Sequence, residues 1–203
     1  MTAPGQIVIL NGAPRSGKSS IAEALQARGD TPWVILGVDA SVRSTPELLR
    51  PGIGLRPGGE RPDLEDAVAA SYGRLFDLVA TQARLGADVA VDAGLHESYS
   101  RPLSVRADGA RRLAGLRVLL VGVRCPLEVI WRRRSASWGQ DEKRADASLR
   151  AAVERWQDAV HAAMPYDLEV DTSVSDPAGC AERIAARLAE GPPGTGMEKL
   201  RAG

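Results

Sequence analysis

Apolar residues along the chain fall into two kinds of stretch. Short, nearly continuous apolar runs occur at QIVIL (6–10), WVILGV (33–38), DVAVD (88–92), LRVLLVGV (116–123) and LEVD (168–171). They lack strict alternation, so they read as strands buried on both faces, the signature of a parallel sheet. Amphipathic stretches lie between them. In 63–86, Leu64, Val68, Tyr72, Leu75, Phe76, Val79 and Ala83 recur at spacings of three and four and form one apolar stripe. Asp63 suits an N-cap and Gly86 the residue just past the helix end. Residues 143–163 and 177–189 repeat the helical pattern. Strand–helix alternation of this kind predicts an α/β protein: five parallel strands with helices on both faces, a three-layer arrangement.

Two stretches break the pattern. RPGIGLRPGGERPD (50–63) carries three prolines and four glycines and is expected to be a loop. The tail from 191 to 203 is expected to be disordered, leaving 1–190 as a single domain.

Directly after the first strand comes GAPRSGKS (12–19), followed by the apolar helix pattern SIAEALQAR. Strand, glycine loop and helix is the context in which G-x-x-x-x-G-K-[ST] binds phosphate. Backbone N–H groups of Gly12, Ala13, Pro14, Arg15, Ser16, Gly17, Lys18, Ser19 and Ser20 would surround the phosphates as far as each residue has one; Pro14 has none. Lys18 would bridge the β- and γ-phosphates, and Ser19 would put its hydroxyl on Mg²⁺. Asp92 ends an apolar run in the manner of a Walker B carboxylate, a second ligand for the metal. Asp39 follows the second strand, where a carboxylate can accept the proton of an attacking hydroxyl. Residues 132–146 form a candidate lid, with Arg132, Arg133, Arg134 and Arg144 available to neutralise a transferring phosphoryl group and Trp138 at its centre.

Composition sharpens this reading. Lysines and arginines together number 26, as do the acids, so formal net charge is zero. That argues against nucleic acid held by bulk positive charge. Only Lys18, Lys143 and Lys199 are lysines, which makes the lysine of the phosphate loop stand out. No apolar run reaches the ~18–20 residues that span a bilayer. The N-terminal segment reads as a strand rather than a signal peptide, so a cytoplasmic location is expected. Cys125 and Cys180 have no metal-ligand spacing and are expected to be buried small hydrophobes.

The segments ILNG and GKS around the glycine loop, GVDA (37–40), VGVRC (121–125) and YDLEVDTS (166–173) together resemble the chloramphenicol phosphotransferase-like P-loop kinases, from about residue 6 to 189. The resemblance implies a P-loop kinase fold and ATP-dependent phosphorylation of a primary hydroxyl on an antibiotic. It implies Asp39 as general base, Lys18 and Ser19 for ATP-Mg²⁺, Arg133 as a lid arginine, and Asp171, Thr172 and Ser173 near the adenine. Departures are visible. Ala93 stands where the family pattern often has a second acid, and one expected lid arginine falls near Ser137. Segments 41–62 and 94–112 match poorly.

Acceptor groups are expected after Asp39 and after Asp92, at Val42, Leu95, His96 and Tyr99, with His161 on a helix surface. Two other classes stay open. One is a kinase of a primary metabolite such as shikimate, gluconate or a nucleotide, using Arg43, Arg50, Arg56 or Arg61 for an anionic acceptor. The other is a non-catalytic nucleotide switch, although a guanine-reading N-K-x-D is absent. The helix at 63–86 and the resemblance leave a homo-oligomer open.

Overall fold

The computed structural model describes residues 3–29, 32–38, 42, 45–139 and 142–202. Five parallel strands form one sheet: β1 (Gln6–Asn11), β2 (Trp33–Gly37), β3 (Asp88–Ala93), β4 (Arg117–Arg124) and β5 (Leu168–Asp171). Their order is β2-β3-β1-β4-β5, so the chain reverses direction across the sheet on either side of β1. This switch point is where open α/β sheets bind ligands. Seven α-helices are present among the described residues: α1 (Lys18–Ala27), α2 (Glu65–Arg84), α3 (Val105–Arg112), α4 (Leu127–Trp138), α5 (Ala147–His161), α6 (Pro177–Glu190) and α7 (Gly196–Ala202).

The continuous apolar strands are explained by the layers. On β1, Ile7 and Ile9 face one side with Val68, Phe76 and Val79 of α2, while Val8 and Leu10 face the other with Ile21 and Leu25 of α1 and Ile184 of α6. Residues alternate between faces, but both faces are dry, so no polar alternation is needed. A third cluster joins Val129, Ile130 and Trp131 of α4 to Val153 and Val160 of α5, with Ala13 and Cys125 beneath.

Three expectations are corrected. Asp63 does not cap α2: its carboxylate accepts from Arg61 at 2.8 and 2.6 Å, and a 3₁₀ turn (Pro62–Leu64) leads into the helix. The 50–63 stretch holds this turn and another at Gly52–Leu55, and it is clamped, with Gly58 N–H donating to Ser98 O at 2.8 Å and Arg155 pairing with Glu60. The tail is helical rather than disordered at 196–202. Asp167 accepts from Thr195 N and Gly196 N at 2.7 and 2.9 Å and from Leu120 N at 2.8 Å, tying the start of α7 to β4 while Met197 is buried. A carboxylate on exposed helix N–H groups acts as a cap supplied from elsewhere in the chain.

Candidate active site

The carboxyl ends of β1, β2, β3 and β5 open into a cleft of about 1080 Å³. Its floor is the loop between β1 and α1. Arg15 (φ 70°) and Gly17 (φ 103°) are both left-handed, which turns successive N–H groups inward as an anion nest. A side chain at Gly17 would be strained by its φ and crowded, since a Cβ there would sit 3.2 Å from Thr172 Cγ2. Lys18 Nζ donates to Ala13 O at 3.0 Å and lies 3.5 Å from Asp92 Oδ1. Ser19 Oγ donates to Asp92 Oδ2 at 2.5 Å. The hydroxyl–carboxylate pair faces the cleft, and hard oxygen ligands of this kind suit Mg²⁺, which completes its shell with phosphate oxygens and water. No cluster of three or more metal-ligating acids, histidines or cysteines exists among the described residues. Ser16 is buried, and its Oγ has no hydrogen-bond partner.

The loop is braced from β5 and α4. Arg133 Nη1 donates to Ser16 O at 3.1 Å, to Arg15 O at 3.3 Å and to Thr172 Oγ1 at 2.9 Å. Its Nη2 donates to Thr172 O at 2.7 Å. Thr172 Oγ1 in turn donates to Ser16 O at 2.6 Å. Thr172, Ser175, Asp176 and Pro177 line this side of the cleft with Ala136 and Ser137. Buried Arg134 lies over the Trp131 ring, 5.6 Å from its centroid. Burial, with Arg15 and Arg56 as like-charged neighbours, lowers the Arg134 pKa from its ordinary value.

The rest of the lining is apolar. Ile35, Leu36 and Val38 at the end of β2, Leu55, Tyr72 of α2, Gly94 and Trp156 of α5 form it. Tyr72 hydroxyl donates to Gly94 O at 3.2 Å. A Cβ on Gly94 would lie 3.1 Å from the Trp156 ring. Behind the wall, the His96 ring packs on Tyr99 (4.4 Å between centroids) and edge-on to Trp156 (5.3 Å).

The sequence profile of the family described as "Chloramphenicol phosphotransferase-like protein" matches residues 5–189. The chain belongs to this family. No curated protein matches it in sequence. Among solved structures it is similar to the Mycobacterium tuberculosis APS kinase CysC in complex with AMPPNP and APS, with 20% identity over 92% of this chain and 99% of that one and a TM-score of 0.59. A Sinorhizobium meliloti gluconokinase matches with 21% identity over 94% of both chains (TM-score 0.56), and the Acinetobacter baumannii shikimate kinase in complex with shikimate with 12% identity over 93% and 94% (TM-score 0.57). At these identities the likeness shows the fold, which is that of P-loop kinases.

In this chloramphenicol phosphotransferase-like chain, the structure gathers Gly12, Pro14, Arg15, Gly17, Lys18, Ser19, Ser20, Asp92, Arg133 and Thr172 at one cleft, as the sequence suggests. Other expectations change. Asp39 lies outside the described residues, as does Arg43; β2 delivers the chain to the cleft at Gly37, whose register partner is Asp92. Arg133 is not free to sweep over a phosphate, because its guanidinium is engaged by loop carbonyls and Thr172. Arg132 and Arg144 are exposed and do not line the cleft, and 132–138 is helix rather than loop. Ser173 is exposed and turns back on Asp171 at 2.6 Å. Val42 is half-buried and does not line the cleft.

Leu95 and His96 are not acceptor groups, because both are fully buried. Leu95 belongs to the core, and His96 Nδ1 accepts from Ser98 N at 3.2 Å while Nε2 donates to Leu55 O at 3.0 Å. Burial lowers its pKa to about 4, so the ring is neutral and both nitrogens are occupied. His161 is half-buried rather than a surface residue, 2.7 Å from the Tyr166 hydroxyl. Sequence reading missed Leu55, Tyr72 and Trp156. Tyr72 and Trp156 sit in helical stripes, and periodicity does not distinguish a core position from a cleft wall.

Proposed function

We propose that this protein is an ATP-dependent O-phosphotransferase that phosphorylates a hydroxyl of a small, uncharged, largely apolar molecule, an antibiotic of the chloramphenicol kind. The observation that supports this acceptor class is the makeup of the cleft lining outside the phosphate loop and the residues that brace it. Among the described residues of this apolar part, none is charged, and it carries Tyr72 and Trp156. An anionic metabolite would need cations there to offset its desolvation.

In this reading the nest and Lys18 hold the β- and γ-phosphates. Mg²⁺ bound with the nucleotide, on Ser19 and Asp92, would neutralise charge on the phosphate oxygens. Asp39, two residues beyond β2, takes the proton of the acceptor hydroxyl. The hydroxyl oxygen bonds to the γ-phosphorus as the bond to the bridging oxygen breaks, leaving ADP and a phosphate ester. The loose transition state requires alignment more than a strong base, so a carboxylate ionised at neutral pH suffices. The nucleotide base lies toward Thr172 and Ser175.

A second reading, an anionic primary metabolite as acceptor, is favoured by one observation: Arg15, Arg56 and Arg134 lie near one another. Incubation with ATP and a panel of neutral hydroxylated antibiotics, shikimate and gluconate, read by mass spectrometry, separates the two. A phosphorylated antibiotic with unchanged shikimate and gluconate upholds the proposal. Phosphorylation of the acids alone overturns it. Expression in a sensitive host should protect it, and expression of Lys18→Ala should not.

A further inference from the structure

β1 is apolar between Gln6 at its start and Asn11 at its end. Asn11 stands immediately before the phosphate loop and is fully buried. An amide in such a place is unfavourable unless every polar atom is bonded. Here Oδ1 accepts from Leu95 N at 2.6 Å, and Nδ2 donates to Val160 O at 2.7 Å and to the Tyr166 hydroxyl at 3.0 Å. Leu95 is the residue after Gly94, which lines the cleft. Val160 lies one helical turn after Trp156, on the same face of α5. The terminal carbonyls of α5 would otherwise have no intrahelical partner. Val160 O is taken by Asn11 and by Tyr166 Oη at 3.1 Å, and Ala162 O and Ala159 O by Arg106 at 2.8 and 3.1 Å. The anchored end of α5 thus fixes where Trp156 stands. The nucleotide side is braced separately, through Arg133 and Thr172.

We infer that Asn11 is a positioning residue for the acceptor: one amide clasps the Gly94–Leu95 backbone and the Trp156 helix to the strand that carries the phosphate loop, setting the distance between acceptor and γ-phosphate. The inference rests on the proposed assignment of that wall to the acceptor.

The test compares wild type, Asn11→Leu and Tyr166→Phe, the last removing the hydroxyl that accepts from Asn11 and itself bonds Val160 O and His161. Hydrogen exchange is followed at residues 94–96 and 158–162, with ADP affinity and steady-state kinetics on ATP and chloramphenicol. Asn11→Leu is expected to speed exchange at those two stretches about tenfold or more, and to raise the acceptor KM about tenfold with the ATP KM and ADP affinity within about twofold. Tyr166→Phe should shift the same quantities in the same direction by less; if Asn11→Leu does not fold, the deciding reading is exchange at 94–96, which the Tyr166 hydroxyl reaches through Asn11. Unchanged exchange and acceptor KM would overturn the inference, as would parallel loss of acceptor and nucleotide binding. Chloramphenicol left unphosphorylated by the wild type would strike the functional reading instead. The exchange and ADP measurements would then decide the clasp: exchange confined to the two stretches upholds it, and exchange spread through residues 12–20 with loss of ADP affinity overturns it.

Discussion

The two sides of the cleft are built in opposite ways. The nucleotide side is one contiguous octapeptide, Gly12 to Ser19, completed by Asp92 and braced by Arg133 and Thr172. Its chemistry is polar, and its geometry follows from local backbone turns. The acceptor side is apolar and drawn from the end of β2, the 3₁₀ turn at 52–55, α2, the end of β3 and α5. These pieces are spread over about 120 positions of the chain, from Ile35 to Trp156. In the proposed reading the first side grips a polyanion common to many kinases and the second selects the acceptor by shape, so the second can change without disturbing the first.

Breaking the nucleotide side should have the largest effect. Lys18→Ala removes the cation beside Asp92, and transfer should fall by on the order of 10³-fold or more in a phosphoryl-transfer assay. Retained activity would sink the phosphate-loop assignment. Asp39→Asn should lower kcat by about 10²-fold or more while leaving ADP binding intact, measured by calorimetry. On the acceptor side, Trp156→Ala should raise the acceptor KM by about tenfold with the ATP KM unchanged. Loss on both substrates would erase the division between the halves. Gly94→Ala presses on the same ring and should raise the acceptor KM by about threefold, because only a small shift of Trp156 is needed.

The remaining effect lies outside the cleft and concerns stability rather than turnover. The folded His96 titrates at about 4, below the 6.5 of an exposed histidine, because burial disfavours its charged form. Between those values the unfolded chain binds more protons than the folded one, so stability is fully present above 6.5 and declines as pH falls toward 4. The contribution is at most roughly 3 kcal/mol over that window. Melting temperatures from pH 7 to 4.5 should fall, and His96→Gln should flatten part of the decline. A profile identical to wild type would show that His96 is not neutral when buried.

Legibility in the sequence followed the same division. Strand positions were readable to within a residue or so, because a strand buried on both faces must be apolar throughout. The phosphate loop was readable because its function needs glycines, a lysine and a hydroxyl at fixed local spacing. The lid was less readable: Arg133 is a candidate by charge, but its engagement by Ser16 O and Thr172 joins residues 117 and 39 positions away, which only the fold brings together. Leu95 and His96 were misplaced because the chain after β3 turns inward, toward Asn11 and Leu55, rather than into the cleft. The tail was misread because its glycines and prolines suggest disorder, while Asp167, more than twenty residues earlier, caps its helix.

What the sequence determined by itself is the class of fold and the nucleotide chemistry, since both rest on interactions between residues close along the chain. What only the tertiary structure decided is which side chains form the apolar part of the cleft. Tyr72 and Trp156 share a wall though they lie 84 positions apart, and only the packing of α2 and α5 against the sheet brings them together. Local spacing encodes a loop, whereas a wall made by several elements exists only once their buried faces have fixed how they pack.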